Sequence, residues 1–165
     1  MKKFFLMLAL ISLLSGCSAQ TVFERVEDQD ALPASASAKQ LQLTFPKDVA
    51  VEVMESANGS LYICDGYTVC LQTLEGGDLD RSLRSLTGFS GDALTVMQTQ
   101  YGDYRRYDTV WTSAGEGGPH TGRLALLDDS NFHYAAVVMA DAGQAGELTR
   151  QWDKLLSSLE LVNTG

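Results

Sequence analysis

The stretch LYICDGYTVC, residues 61–70, carries the strongest structural signal in this chain. Two apolar runs rich in β-forming residues flank Asp65-Gly66, a dipeptide strongly preferred in the two-residue turn of a β-hairpin. Alternation along the strands places Tyr62 and Val69 on one face of this hairpin and Ile63 on the other. A sheet with one solvated face would alternate more cleanly between apolar and polar residues, so we predict a sheet that is covered on both faces.

The same hairpin determines what two of the cysteines can do. Its register places Cys64 opposite Tyr67 and Cys70 opposite Leu61, so the cysteines point to opposite faces, about 10 Å apart along the ladder. A disulfide requires Cα atoms within about 7 Å of each other. We therefore predict two free, buried thiols.

The sequence on both sides of the hairpin predicts further strands with short connections. Short connections join neighbouring strands in antiparallel fashion, because a parallel crossover needs a dozen or more residues. A glycine-rich stretch, Gly115–Pro119, is predicted to be a flexible loop. Alternating apolar residues predict strands at 41–45, 49–53, 94–99, 104–113, 121–127 and 132–140.

Two amphipathic helices are predicted among these strands. Asp78 is placed to cap the first, whose apolar stripe contains Leu79, Leu83 and Leu86, and Gly88 is placed to end it. The segment Asp141–Gln144 resembles a capping box that starts the second helix. The apolar face of that helix consists of Leu148, Trp152, Leu155 and Leu159. We predict one α+β domain over residues 40–162, an antiparallel sheet with helices on both faces, as in an α/β/α sandwich.

The N-terminus is typical of an exported, lipid-modified protein. Met1–Lys3 is basic, and residues 4–14 form an apolar run of about 11 residues, which suits a signal peptide and is too short to span a membrane. Leu14–Cys17 resembles the lipobox of bacterial lipoproteins. We predict that residues 1–16 are a signal peptide and that Cys17 carries the lipid, which would anchor the protein to the extracytoplasmic face of the cell membrane.

Residues 17–39 are predicted to be the lipidated cysteine and a flexible tether. This segment is small, polar and acidic and lacks a sustained apolar period, so it cannot bury enough surface to fold alone. The whole chain has a net charge of −9. Such a charge opposes binding to nucleic acid, and we expect none.

Sequence motifs for catalysis or cofactor binding are absent. No glycine-rich nucleotide motif, P-loop lysine, HExxH or paired CxxC occurs, so no cofactor and no metal is expected. Of the two histidines, His133 starts an apolar strand and is predicted to be a strand-end residue. His120 follows a glycine-rich loop and is the better candidate for chemistry.

The segment Tyr101–Trp111 has the composition of a binding surface, because tyrosine, arginine and tryptophan are the usual anchors of interfaces. The predicted ligand surface contains Arg105, Arg106, Trp111 and His120, and its ligand would be anionic or aromatic. Alternation nevertheless puts Arg105 and Trp111 on one face and Arg106 on the other. Cross-strand packing of arginine stems over aromatic rings explains the same composition without a ligand.

Three motif-like stretches carry a resemblance to known proteins: CDGYT at 64–68, VWTSAGEGG at 110–118 and VMADA at 138–142. They resemble those of uncharacterised lipoproteins of anaerobic Gram-positive bacteria. The order of elements is similar to the PsbP-like α/β/α sandwich. The resemblance implies an accessory or binding module on a larger assembly, and it assigns no catalytic residue.

Three functions follow from these observations. The first is a membrane-anchored, non-enzymatic binding or accessory module whose partner is an envelope protein or a small anionic or aromatic ligand. The second is a small extracytoplasmic hydrolase that uses His120 with a nearby carboxylate. The third is an assembly factor for a membrane complex.

Overall fold

A computed structural model describes residues 37–47, 49, 51–56, 59–115 and 117–163. The predicted signal peptide, Cys17 and all but the last residues of the predicted tether lie outside this described part. The described elements are β1 (Gln40–Gln42), β2 (Glu52–Ser56), β3 (Gly59–Cys64), β4 (Tyr67–Glu75), α1 (Leu79–Thr87), β5 (Val96–Tyr101), β6 (Tyr104–Gly115), β7 (Gly118–Asp128), β8 (Phe132–Asp141), α2 (Ala142–Ser157) and β9 (Glu160–Val162).

The strands form two sheets. The larger has seven strands in the order β2-β3-β4-β8-β7-β6-β5, and β1 pairs with β9 in a separate two-stranded sheet. Each strand pairing found in the described residues is antiparallel. The predicted α+β fold with an antiparallel sheet is thereby confirmed.

The predicted hairpin is present with the predicted register. Cys64 lies opposite Tyr67 and Cys70 opposite Leu61, and Gly66 has the positive φ (80°) that the turn requires. Cys64 packs against one core cluster and Cys70 against the other, so the two thiols are free and on opposite faces. They are half-buried rather than fully buried, and burial raises the pKa of each.

One face of the large sheet, which we call the α2 face, packs against α2. Its core combines Val69, Ala136 and Val138 from the sheet with Trp152 and Leu155 from the helix. Leu41 of β1 joins the same cluster. Burial of the larger of these apolar side chains, each stabilising by about 1.5–3 kcal/mol, holds α2 and the small sheet in place.

The other face, which we call the α1 face, packs against α1. Leu83 of α1, Trp111 and Leu124 belong to its core cluster. On this face Met54 and Ile63 remain 55% and 38% exposed, because α1 has only nine residues and the sheet has seven strands. Full coverage of both sheet faces by helices therefore stays a prediction.

Helix α1 begins and ends where the sequence indicates. The carboxylate of Asp78 accepts a hydrogen bond from the backbone N–H of Arg81 at 3.0 Å, which caps one of the unpaired amides of the first turn. Gly88 has a left-handed φ of 80°, and its N–H donates to the carbonyl of Arg84. Both predicted caps are confirmed.

Three local predictions need correction. The first strand covers only Gln40–Gln42 and pairs with β9, and the second begins at Glu52. The predicted loop Gly115–Pro119 is a tight hairpin connection, since β6 runs to Gly115 and β7 starts at Gly118. Asp141 stands at the N-cap of α2 but makes no capping hydrogen bond with its side chain.

Candidate functional site

The two arginines of the predicted ligand surface lie on opposite faces of β6. Arg105 is on the α1 face, where its Nε is 3.5 Å from Oδ2 of Asp128. Arg106 is on the α2 face and forms a bidentate ion pair with Asp108, at 2.8 and 2.9 Å. A further N–H of Arg106 donates to the carbonyl of Leu156 at the end of α2. Both guanidinium groups are thus engaged in contacts within the fold.

Trp111 is buried on the α1 face, with 6% of its surface exposed. Its indole lies directly over Gly122, the residue opposite it on β7. A Cβ on Gly122 would stand 2.5 Å from Cε2 of the indole, so only glycine admits this packing. Trp111 is therefore a core residue.

His120 lies on β7 and is 32% exposed. Its Nδ1 is 3.1 Å from Oδ1 of Asp141, the residue directly opposite on β8. This contact explains the missing cap of α2, because the Asp141 carboxylate faces the imidazole. A carboxylate on Nδ1 can fix the ring orientation and tautomer of a histidine.

The structure does not bring the four predicted residues together. Arg105 and His120 are on the same face but near opposite ends of the β6–β7 pair, since Arg105 is opposite Asp128 and His120 is opposite Ser113. Eight residues of an extended strand separate Arg105 from Ser113, a distance of roughly 26 Å. Arg106 points to the other face. No common cleft includes all four.

A buried polar cluster that the sequence did not reveal lies under the N-terminal half of α1. Ser82 Oγ is 2.7 Å from Nδ1 of His133, and His133 Nε2 is 3.8 Å from Oδ1 of Asp128. Burial lowers the pKa of His133, which is 1% exposed, although the nearby carboxylates oppose this. The neutral ring fastens α1 to the sheet. His133 is the second residue of β8, as its predicted strand-end position implies.

A second network ties the start of β1 to the sheet. The backbone N–H of Lys39 donates to the hydroxyl of Tyr134 at 3.1 Å, and that hydroxyl donates to Asp129 at 3.0 Å. Burial raises the pKa of Tyr134 to about 12, and Asp129 adds to the effect. The ammonium of Lys39 is 2.7 Å from the hydroxyl of Tyr104 and lies over its ring.

An open cleft of about 1050 Å³ lies on the α2 face between β1 and strands β2–β4. We call it the β1 cleft. Its size is at the upper end of the range for ligand pockets, roughly 300–1,000 Å³. Its side-chain lining includes Leu41, Leu43, Glu55, Ser60, Tyr62, Leu71, Thr73, Glu75 and Phe132.

Apolar side chains, two carboxylates, the ammonium-bearing Lys39 and several uncharged polar side chains line this cleft, and its surface is more polar than apolar. Glu55 and Glu75 are exposed, and Glu55 accepts a hydrogen bond from Ser60 at 2.5 Å. None of the four residues of the predicted ligand surface contributes to the lining. Sequence patterns could not reveal the cleft, because β1 is held over the sheet by β9, which is more than a hundred residues away.

Within the described residues, no group of three or more His, Cys, Asp or Glu side chains is arranged to hold a metal ion. The same residues contain no helix with the length and apolarity needed to cross a bilayer.

No protein-family model and no curated protein matches this sequence. Solved structures do match the fold. PsbP (CyanoP) from Synechocystis sp. PCC 6803 has a TM-score of 0.53 and 9% identity, covering 78% of this chain and 96% of that one. LpqN, which is involved in cell envelope biogenesis of Mycobacterium tuberculosis, has a TM-score of 0.51 and 12% identity, covering 78% and 86%.

A third similar structure, from Bacteroides thetaiotaomicron VPI-5482, has a TM-score of 0.50 and 12% identity. The match covers 76% of this chain but 46% of that one, so this chain spans less than half of that protein. At such identities the likeness concerns the fold alone. The described part of this chain has a PsbP-like fold.

Proposed function

We propose that this protein is a lipid-anchored lipoprotein on the extracytoplasmic face of a bacterial cell membrane and acts as a non-enzymatic binding or accessory module. The basic start, the short apolar run and Leu14–Cys17 support the anchor. Two acyl chains on Cys17 would hold the protein stably, whereas one chain binds only marginally. An α/β/α sandwich, in which helices cover both faces of the sheet, belongs to the same proposal.

The β1 cleft is the observation that carries the binding role. It is an open concave surface on which polar groups outweigh a smaller apolar floor, and several of its lining residues, such as Leu41 and Leu71, belong to the core on the α2 face. The similar fold of LpqN, a protein involved in cell envelope biogenesis, supports an envelope role by analogy.

Labelling and photocrosslinking in cells test the two parts of this proposal. Labelled fatty acid should enter the wild-type protein and not Cys17→Ala, which should also leave the membrane fraction. A photocrosslinking residue at Thr73, inside the cleft, should give a discrete adduct, and the same residue at Gln98, on exposed β5, should give none. Equal fatty-acid labelling of Cys17→Ala would exclude the anchor, and identical adducts from both positions would exclude the cleft as the binding site.

The His120–Asp141 contact keeps a hydrolase as a second candidate. The carboxylate on Nδ1 orients the ring and leaves Nε2, which lies close to Gly115, as the nitrogen for proton transfer, and this is one of the features of a general base. The pair lies on the α1 face, away from the β1 cleft. His120→Ala should therefore abolish any ester hydrolysis by the purified protein and leave the Thr73 adduct intact.

An assembly factor for a membrane complex is a special case of the accessory role. It predicts that deleting the gene alters the amount or composition of at least one envelope complex in native gels. Unchanged complexes would argue for ligand binding instead.

A further inference from the structure

Strand β1 offers an unpaired edge to the β1 cleft. It pairs only with β9 among the described residues, in a sheet of two strands. The cleft is lined by the whole segment 38–43 and by no residue of β9. The edge of β1 that faces away from β9 therefore faces the cleft, and its backbone N–H and C=O groups are positioned to pair with an added strand.

The floor of the cleft suits an extended chain. Tyr62 and Phe132, which are partly exposed, flank the buried Leu71, and the three residues come from adjacent strands of the large sheet. A peptide strand paired with β1 would place alternate side chains on this floor. Backbone pairing would supply sequence-independent affinity, and the floor would select apolar side chains.

Two carboxylates give the cleft a charge preference. Glu55 on β2 and Glu75 on β4 point to the same face, and both are exposed. They lie two inter-strand spacings apart across the sheet and four residues apart along it, which corresponds to about 16 Å between their Cα atoms. Same-face residues four apart in an extended chain are about 13 Å apart, and two long cationic side chains can bridge the remaining distance of about 3 Å. The ammonium of Lys39, which donates to the hydroxyl of Tyr104, also lines the cleft, so two carboxylates and one ammonium leave it with a net negative charge.

Charge also argues against two other occupants. The segment of this chain between Ser18 and Ala38 contains four carboxylates and one arginine, so Glu55 and Glu75 would repel it. A second copy of the chain carries a net charge of −9 and would be repelled as well. A basic segment of another protein is complementary to the cleft in both charge and shape.

On the basis of the proposed binding role, we propose that the β1 cleft binds an extended, basic segment of a partner protein. This segment pairs as an additional strand with the free edge of β1. Two cationic side chains four residues apart pair with Glu55 and Glu75, and the apolar side chain midway between them, on the same face of the strand, contacts the floor formed by Tyr62, Leu71 and Phe132.

A designed peptide tests this chemistry with the full-length chain in neutral detergent. The probe is Thr-Lys-Thr-Val-Thr-Lys-Thr with blocked termini and a fluorescent label; when it is extended, its two lysines and the valine between them lie on one face, and the lysines are roughly 13 Å apart. One control probe replaces both lysines with glutamates, and a second replaces the threonine before the central valine with proline, which removes a strand hydrogen bond. Fluorescence anisotropy at low salt should show binding of the first probe and at least tenfold weaker binding of both controls.

Charge-matched variants locate the site. Each exposed carboxylate–ammonium pair is expected to strengthen binding by roughly two- to fivefold, so E55Q/E75Q should weaken probe binding by about tenfold. E52Q/E147Q removes the same charge from exposed positions outside the cleft and should change binding less than twofold. Amide chemical-shift changes should map to β1, β3 and β4.

The outcomes separate this inference from the proposed function. Equal binding of the lysine and glutamate probes, or equal effects of the two double variants, would overturn the inference. If the basic probe fails while Thr73 still gives its adduct in cells, the cleft binds a ligand of other chemistry and the binding role stands. If both fail, the proposed binding role is wrong as well.

Discussion

Replacing Gly122 with alanine tests the packing of Trp111 on the sheet. The new methyl carbon would stand 2.5 Å from Cε2 and 2.8 Å from Cη2 of an indole that is 6% exposed. Carbon atoms in contact prefer about 3.5–4.0 Å, so the ring must retreat by about 1 Å. Overpacking of this kind costs about 1–3 kcal/mol, and removing a glycine from a strand returns about 0.5–1 kcal/mol. We expect Gly122→Ala to destabilise the fold by about 1–2 kcal/mol.

Urea and thermal unfolding, followed by far-ultraviolet circular dichroism, measure this effect. At about 4 °C per kcal/mol for a domain of this size, the melting temperature should fall by roughly 4–8 °C. Gly146→Ala is the matched control, since its Cβ meets nothing within 4 Å on helix α2. It should stabilise the protein by about 0.5–1 kcal/mol.

A double-mutant cycle makes the prediction specific to the indole. Trp111→Leu is itself destabilising, but it removes the atoms that an alanine at position 122 would meet. In that background Gly122→Ala should be neutral or stabilising, which gives a coupling energy of at least about 1 kcal/mol. An equal loss of stability in both backgrounds would refute the packing argument.

Three further predictions concern the polar cluster, a helix end and the thiols. Burial lowers the pKa of His133 from its ordinary value of 6.5, so the unfolded chain binds a proton at a higher pH than the folded protein does. The free energy of unfolding should therefore fall as the pH drops below about 6.5, and this fall should end below the pKa of the folded state. Urea titrations from pH 8 to pH 5 should show this slope, and His133→Asn should lack it. Gly88→Ala should cost about 1 kcal/mol, because alanine disfavours the left-handed φ at the end of α1; an unchanged unfolding midpoint would contradict this. Alkylation without reductant should modify both Cys64 and Cys70 in denaturant and proceed slowly in the native protein, and a requirement for reductant would reveal a disulfide.

Local sequence patterns predicted the parts of the fold that depend on neighbouring residues. The Asp65-Gly66 turn fixed the register of β3 and β4, and the Asp78 and Gly88 caps fixed the bounds of α1. Alternation along β6 also placed Arg105 and Arg106 on opposite faces. These features need only a few consecutive residues, so the chain specifies them locally.

The cleft and the polar cluster depend on residues that are far apart in sequence. Gln40 pairs with Val162, and Ser82 meets His133 across 51 positions. Neither contact has a local signature, because each is produced by the packing of whole elements. The capping prediction at Asp141 failed for a related reason. The Asp141 carboxylate contacts its cross-strand partner His120 and makes no hydrogen bond to the helix amides, which were its predicted partners.

If residues 17–39 are a lipid-anchored tether, as proposed, the pairing of β1 with β9 has a mechanical consequence. The chain that leads towards Cys17 enters the fold directly at Lys39, where the backbone donates to Tyr134. A pull between membrane and partner would load β1 first, and its three-residue pairing with β9 would bear the force. Because β1 also forms one wall of the cleft, stretching the tether would distort that wall before it reached the seven-stranded sheet.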